Sequence, residues 1–367
     1  MKKILFIMFD LNIGGAERVL IDTLNAFDYD KYEVTLLLVN KEGSFIEELD
    51  KRVKIKWLFN HVSSTLLIKL FYHPFISQFI IKRVIKNSIK DRYDTIISYV
   101  EGPSAVCHSY IMDMADNNVS FIHCDLSNFF WTQKMYKSEY DVDVFYRSMS
   151  KVVFVSEGVM NGYIKRFGNI DNGIVIHNIS DEAKVLDLAQ RDNYKKKGFT
   201  VCCLGRLNPV KRFDKVIYIA SVLRNKGAKV YFDIVGNGVE YAKLKSLIEE
   251  YNLKDIVYLR GYDTNPYKYL NSADMLLITS DSEGHPMVAR EAMILGKPIL
   301  STPNSGCKYL LEGGGGIIST FEVDDLADVI YRLYNDNEEL SHLSADALEK
   351  SKCYSTAQLM SQLYSVI

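Results

Sequence analysis

The sequence predicts an α/β chain built from two doubly wound, Rossmann-like halves. Three observations point there. The 367 residues exceed what one ordinary core holds and fall short of three. Short apolar runs alternate with amphipathic helical stretches, as parallel strands joined by helical crossovers require. The alternation then starts afresh after a polar stretch at 181–197 that closes on a lysine run and Gly198.

In the first half, residues 3–9 read as a buried strand, 10–15 as a loop and 16–27 as a helix with Val19, Leu20, Thr23, Leu24 and Phe27 on one face. Further strands are expected at 34–39, 95–99, 119–123 and 151–155, the last leading into a helix capped by Ser156. The second half repeats the scheme. Its strands fall at 199–204, 230–235, 256–259, 275–279 and 298–301, with helices at 213–226, 241–251 and 287–295. The expected division is a first Rossmann-like domain over 1–182, a second over 183–350, and a helix at 351–367 that packs back on the first.

Composition removes several functions. Lys plus Arg total 44 against 46 Asp plus Glu, so no polyanion binder is expected and no nucleic-acid partner. Cys107, Cys124, Cys202, Cys203, Cys307 and Cys353 show no CxxC spacing, which argues for reduced core thiols rather than structural zinc. The apolar run at 4–9 is too short for a signal peptide, and no run approaches the ~20 residues of a membrane span. A cytoplasmic location is therefore expected.

The densest chemistry lies in Ser280-Asp281-Ser282-Glu283-Gly284-His285-Pro286-Met287-Val288, followed by Glu291-Ala292-Met293 and Gly296-Lys297-Pro298. A strand ends, Pro286 opens a helix and Gly296 stops it. Glu283 and Glu291 stand eight residues apart, ~12 Å if helical throughout, a spacing that could bracket a sugar and a ribose. By itself it suits ordinary surface acids equally well. Gly205-Arg206-Leu207-Asn208-Pro209-Val210-Lys211 follows the first strand of the second half, where such sheets bind ligands. Arg206 offers a fork of donors and Lys211 a point charge, suited to a diphosphate leaving group.

This combination resembles the EX7E signature of the family 4 retaining glycosyltransferases, whose fold is GT-B: two Rossmann-like domains facing across a cleft. The resemblance covers nearly the whole chain, most densely at 205–303. It implies that Glu283 contacts donor-sugar hydroxyls, that Glu291 holds the ribose, and that Arg206 and Lys211 stabilise the diphosphate. Gly284, His285, Pro286, Met287 and Val288 complete that donor segment. By the same resemblance Gly14 and Gly15 approach donor and acceptor, and His123, at a strand end, lies against the donor sugar. Gly14-Gly15 could also hold an anion through helix-terminal amides. Asn237, within Gly236-Asn237-Gly238, and Tyr262, after Gly261, correspond to the base-binding turns. Glu101 and Asp125, at strand ends, are candidates near the acceptor. Asn304-Ser305-Gly306-Cys307 would offer amides to the diphosphate, and 313–316 reads as a flexible loop.

Two DxD strings, Asp28-Tyr29-Asp30 and Asp141-Val142-Asp143, invite a metal reading. Neither follows a buried strand, so no metal is expected and no cofactor beyond the nucleotide-sugar co-substrate. From 51 to 90 there are nine Lys or Arg and no Asp or Glu. Residues 80–90 segregate Ile80, Ile81, Val84, Ile85 and Ile89 from Lys82, Arg83, Lys86 and Lys90 around a helix. With Trp57, Phe59, Phe71, Tyr72, Phe75 and Phe79 nearby, this segment could dock on anionic lipid or simply cover the sheet.

The expected function is retaining transfer of a sugar from a nucleoside diphosphate sugar, a UDP-sugar, to a glycan or lipid-linked acceptor in cell-surface polysaccharide synthesis. A peripheral position on the inner face of the membrane goes with it. A nucleotide-sugar epimerase on the same fold, or a nucleotide-sugar-binding protein with decayed chemistry, are the alternatives; the intact Arg206, Lys211, Glu283 and Glu291 set speaks against decay.

Overall fold

The computed structural model describes every residue of the 367 except Ile13, Phe129 and Asn193. Ile13 belongs to the loop expected at 10–15 and Asn193 to the expected polar break, so both expectations rest on their described neighbours. Two compact units result: Met1–Ile179 with Thr356–Ile367, and Ser180–Ser355.

Among the described residues, the first unit holds seven parallel strands: β1 (Lys2–Met8), β2 (Tyr32–Lys41), β3 (Lys54–Asn60), β4 (Tyr93–Ser98), β5 (Ala115–Ile122), β6 (Lys151–Phe154) and β7 (Gly173–Val175). Their order is β3-β2-β1-β4-β5-β6-β7. Ile4 stands opposite both Val34 of β2 and Thr95 of β4. The chain therefore moves outward from β1 on one side and, from β4, outward on the other, which makes the β1/β4 junction the switch point of the sheet. Leu5, Ile7, Leu37, Val39 and Ile96 form one core face with Phe71, Ile81 and Ile85. The terminal helix Thr356–Tyr364 closes this unit: Tyr364 stacks on Tyr32 with ring centroids 5.1 Å apart, and its hydroxyl accepts the Asp28 amide at 2.8 Å.

The second unit has β8 (Thr200–Leu204), β9 (Tyr231–Val235), β10 (Val257–Gly261), β11 (Met275–Ile278), β12 (Ile299–Ser301) and β13 (Gly316–Ile318). Its order is β10-β9-β8-β11-β12-β13, again all parallel among the described strands. Here the switch point is the β8/β11 junction. One core face holds Val201, Cys203, Phe232 and Ile234, and the other holds Cys202, Leu204, Leu276 and Ile278, so alternate residues of each strand serve opposite helical layers.

Three expectations need correction. Residues 54–60, expected only as part of a basic aromatic stretch, are strand β3, with Lys54 paired to Glu33 and Lys56 to Asp91. The glycine run 313–316 does not end as a free loop: Gly316 starts β13, because a Cβ there would meet the Ile299 carbonyl oxygen at 2.4 Å and the bare backbone can pair instead. The helix expected from residue 80 begins at Pro74, whose missing N–H costs nothing at a first helical position.

Candidate functional site

The loops after β8 and β11 meet at the switch point of the second sheet. Asn208 caps the turn Pro209–Lys211 by accepting the Lys211 amide at 3.2 Å. That turn throws the Lys211 side chain across to the β11 loop, where its ammonium lies 2.5 Å from Glu283 Oε1. Ser280 donates its hydroxyl to the same oxygen at 2.6 Å. Oε2 of Glu283 carries no hydrogen bond among the described residues. The pair is only partly buried, with 23% and 12% of the side chains exposed, so a ligand can reach it.

The two loops are fastened together by one side-chain and one backbone hydrogen bond to the β8 loop carbonyls. Thr279 Oγ1 donates to the Lys211 carbonyl at 2.8 Å, and the Asp281 amide to that of Val210 at 2.9 Å. The Gly236-Asn237-Gly238 turn after β9 packs on the same β8 loop: a Cβ on Gly236 would stand 1.9 Å from the Gly205 oxygen, and one on Gly238 2.3 Å from that of Leu207. Gly236 also has φ +145, which only glycine adopts readily. Between them Asn237 is exposed, its carbonyl accepting the Leu207 amide at 2.9 Å. Tyr262 is exposed just beyond Gly261, and Arg206 is exposed at the β8 loop.

Glu283 is not on a helix. The helix runs Met287–Ile294 with Pro286 at its N-cap, so the ~12 Å helical separation from Glu291 does not apply. Gly284 and His285 form the intervening loop, His285 being buried, and Met287 and Val288 are the half-buried first residues of the helix. Glu291 itself is buried and accepts the Tyr267 hydroxyl at 3.0 Å. The Asn304–Cys307 turn departs from expectation. The Gly306 amide donates to the Glu283 carbonyl at 3.0 Å and the Cys307 amide to Asn304 Oδ1 at 2.9 Å. The Gly306 amide thus holds the Glu283 loop and the Cys307 amide is taken by its own helix cap, so neither is offered to a ligand.

In the first unit, the candidate residues collect at the carboxyl ends of β1, β4 and β5. Gly14 is the extended N-cap of helix Gly15–Asn25. The Glu17 carboxylate fills the space that a Gly14 side chain would occupy, 2.0 Å from the ideal Cβ position. Nothing lies within 4 Å of a Cβ built on Gly15. After β4, buried Glu101 accepts the His123 backbone amide at 2.9 Å. His123 lies against Tyr99 with centroids 5.4 Å apart, and burial lowers its pKa despite the opposing influence of Glu101. It is therefore a neutral imidazole at pH 7. Asp125 is committed to its own turn, with Oδ1 accepting from the Ser127 amide and hydroxyl and Oδ2 from Asn128 at 2.7 Å.

Neither DxD string presents its carboxylates together. Asp28 is paired with Lys31 at 2.8 Å, Asp141 accepts the hydroxyl of the capping Ser138, and Asp143 binds Arg147 and the Tyr163 hydroxyl.

Several participants were not legible in the sequence. Ser280 reaches Glu283 within its own loop, three residues away, and Tyr267 reaches Glu291 only through the fold. Asp10 ends the edge beside Gly14-Gly15; burial raises its pKa. Arg290 is wholly buried beside Glu291, donating to the Tyr354 carbonyl at 2.8 Å with its guanidinium 4.7 Å from that ring. Burial pushes its pKa down to about 10. A lone Arg inside a helix gives no such signal.

Residues 187–350 match the family model described as glycosyl transferases group 1. The chain is 26% identical over 88% of its length to the poly(ribitol-phosphate) alpha-N-acetylglucosaminyltransferase of Staphylococcus aureus, covering 70% of that protein. It is 24% identical over 84% of its length to the N-acetylgalactosamine-N,N'-diacetylbacillosaminyl-diphospho-undecaprenol 4-alpha-N-acetylgalactosaminyltransferase of Campylobacter jejuni, covering 83% of it. Among solved structures, Anabaena Alr3699/HepE in complex with UDP and glucose superposes with a TM-score of 0.79 over 100% of this chain and 99% of that one, at 22% identity. That likeness establishes the fold, which is GT-B.

Proposed function

We propose that this glycosyltransferase, whose residues 187–350 match the glycosyl transferases group 1 model, transfers a sugar from a UDP-sugar, with retention, to a glycan or lipid-linked acceptor in cell-surface polysaccharide synthesis. The observation that carries the donor assignment is the Lys211–Glu283 pair at the switch point of the second sheet, with Oε2 of Glu283 open. Lys211 and Arg206 supply positive charge for the diphosphate as the leaving charge develops. Oε2 of Glu283 accepts a sugar hydroxyl, Glu291 with Tyr267 takes the ribose, and Asn237 and Tyr262 border the base. The UDP and glucose in the Anabaena neighbour support the choice of nucleotide, and the polyol-phosphate and diphospho-undecaprenol substrates in the relatives' names support the acceptor class.

Retention needs few parts. The bond between the anomeric carbon and the diphosphate oxygen breaks, the acceptor oxygen bonds the same face of that carbon, and the acceptor proton passes to the departing phosphate oxygen. No general base is required. Neutral His123 can hydrogen-bond a sugar without adding charge, and Gly14, Gly15 and Glu101 border the acceptor. Asp125 supports that edge through its turn. No metal enters this scheme, because the two cations serve in its place.

A panel of UDP-, GDP- and dTDP-sugars, read first by thermal shift, tests the donor. UDP-sugars should raise the melting point, and UDP release should depend on added acceptor. Isomerised donor without an acceptor would instead reveal an epimerase. Proton NMR of early product should show an α-linkage from an α-linked donor; a β-linkage would refute retention.

A further inference from the structure

The helical hairpin Ser64–Phe71 and Pro74–Ser88 leaves an unpartnered surface on the first unit. Its two helices meet at 114° around Tyr72 and His73. Helical spacing fixes one inward stripe on the second helix, Ser77, Ile81 and Ile85, all buried. The outward face then changes character along its length. Phe75, Ile76, Phe79 and Ile80 occupy the first half, and Lys82, Arg83 and Lys86 the second. Phe75 and Phe79 are 72% and 76% exposed, and Leu66 of the first helix is 63% exposed. Two exposed phenyl rings so close together are unfavourable in water, since each buries ~150–250 Å² when covered.

Most of the positive charges around this patch have no carboxylate partner among the described residues. Lys69, Lys82 and Arg83 make no ion pair among the described residues, Lys137 stands 5.2 Å from the Phe75 ring centroid, and Lys86 alone is paired, with Asp113 at 3.4 Å. This corrects the sequence expectation: Ile81, Ile85 and Ile89 are core, while the exposed apolar side chains lie one to two turns earlier, at the elbow.

We propose that this elbow docks on an anionic phospholipid bilayer, with Phe75, Phe79 and Leu66 entering the boundary between headgroups and acyl chains and Lys82 and Arg83 meeting lipid phosphates. Aromatic side chains followed by unpaired cations on one helix face match the layering of such an interface. The helix does not cross it. Its 15 residues extend ~22 Å, short of the ~30 Å hydrocarbon core, and its inward stripe is already occupied by the protein core.

The hairpin is also fastened to the carboxyl edge of the first sheet. Ser64 donates its hydroxyl toward Glu42 at 3.1 Å and Asp10 at 3.4 Å, and Asn40 donates to the Val62 carbonyl at 2.7 Å. Docking would hold that edge close to the lipid surface. The inference deepens the acceptor reading above, naming where a lipid-linked acceptor is met, yet the docking step itself can be measured without any acceptor.

The test is co-sedimentation of the full chain with vesicles of equal parts phosphatidylglycerol and phosphatidylcholine, and with pure phosphatidylcholine. The wild type should sediment with the anionic vesicles and much less with the neutral ones. Phe75→Ser with Phe79→Ser, and separately Lys82→Glu with Arg83→Glu, should each weaken binding about tenfold or more. Both variants should keep the UDP-sugar thermal shift, which shows that they fold. Absence of wild-type sedimentation at low salt, or sedimentation that F75S/F79S leaves unchanged, overturns the proposal. So does a wild-type dimer that F75S/F79S converts to monomer without any vesicle binding. A missing UDP-sugar shift in a wild type that does sediment breaks the donor reading alone.

Discussion

The carboxyl edges of the two sheets share a topology and carry opposite chemistries. At the β8/β11 edge, Lys211 and Glu283 are charged, reachable by solvent and paired with each other. At the β1/β4 edge, Glu101 and Asp125 are buried, their oxygens hold neighbouring backbone and side chains, and burial keeps His123 neutral. The difference shows what each edge can bind. A diphosphate requires cations whose present partner can be exchanged or shared, whereas a sugar or glycan hydroxyl is served by hydrogen-bonding groups fixed by the fold, which cost no reorganisation once built.

The largest expected effects fall on the charged edge. Arg206→Ala and Lys211→Ala should each raise the transfer barrier by about 2 to 4 kcal/mol while leaving the fold intact, and Glu283→Gln should cripple transfer by removing an ionised acceptor. Steady-state kinetics on folded variants measure this. Wild-type rates in all three would erase the contrast between the edges.

A smaller effect should appear in the first unit alone. His108 is buried between Ser98, at 2.9 Å from Nδ1, and Asn118, at 2.9 Å from Nε2, and burial drives its pKa down to about 4. A histidine whose folded value lies below its unfolded ~6.5 stabilises the fold fully above that pH, and the stabilisation is lost as pH falls toward 4. Linkage puts the loss at about 2 kcal/mol between pH 7 and pH 5. Hydrogen exchange of β4 and β5 should accelerate accordingly relative to β8 and β9, and His108→Gln should flatten the dependence. Equal acid sensitivity in both units would place the titrating group elsewhere.

Asp125→Ala sharpens the comparison on the buried edge. Losing its turn should cost about 1 to 2 kcal/mol of stability, read by denaturant unfolding, with kcat changed less than about threefold. A loss of kcat matching that of Glu283→Gln would make Asp125 a catalytic base. The smallest expected effect is none: transfer should persist after exhaustive chelation, because Arg206 and Lys211 carry the charge that a metal would otherwise supply. Activity lost to chelation and restored by magnesium or manganese would show that the charged edge is incomplete by itself.

Local sequence determined much of this protein. Apolar runs of strand length bounded by turn residues specified the parallel strands, Pro286 and Gly296 bounded the helix carrying Glu291, and the spacing of Glu283, Glu291, Arg206 and Lys211 marked the donor loops, because helix, strand and turn chemistry act over a few residues. Tertiary structure alone decided which loops meet. Lys211 reaches Glu283, 72 residues later, only because β8 and β11 are neighbours in the strand order, and Tyr267 reaches Glu291 for the same kind of reason. It likewise decided that the Gly306 amide supports the Glu283 loop, and that Ile81 and Ile85 face the core while Phe75 and Phe79 face out. Helical periodicity defines a stripe, but which stripe is buried depends on what the rest of the chain places beside it.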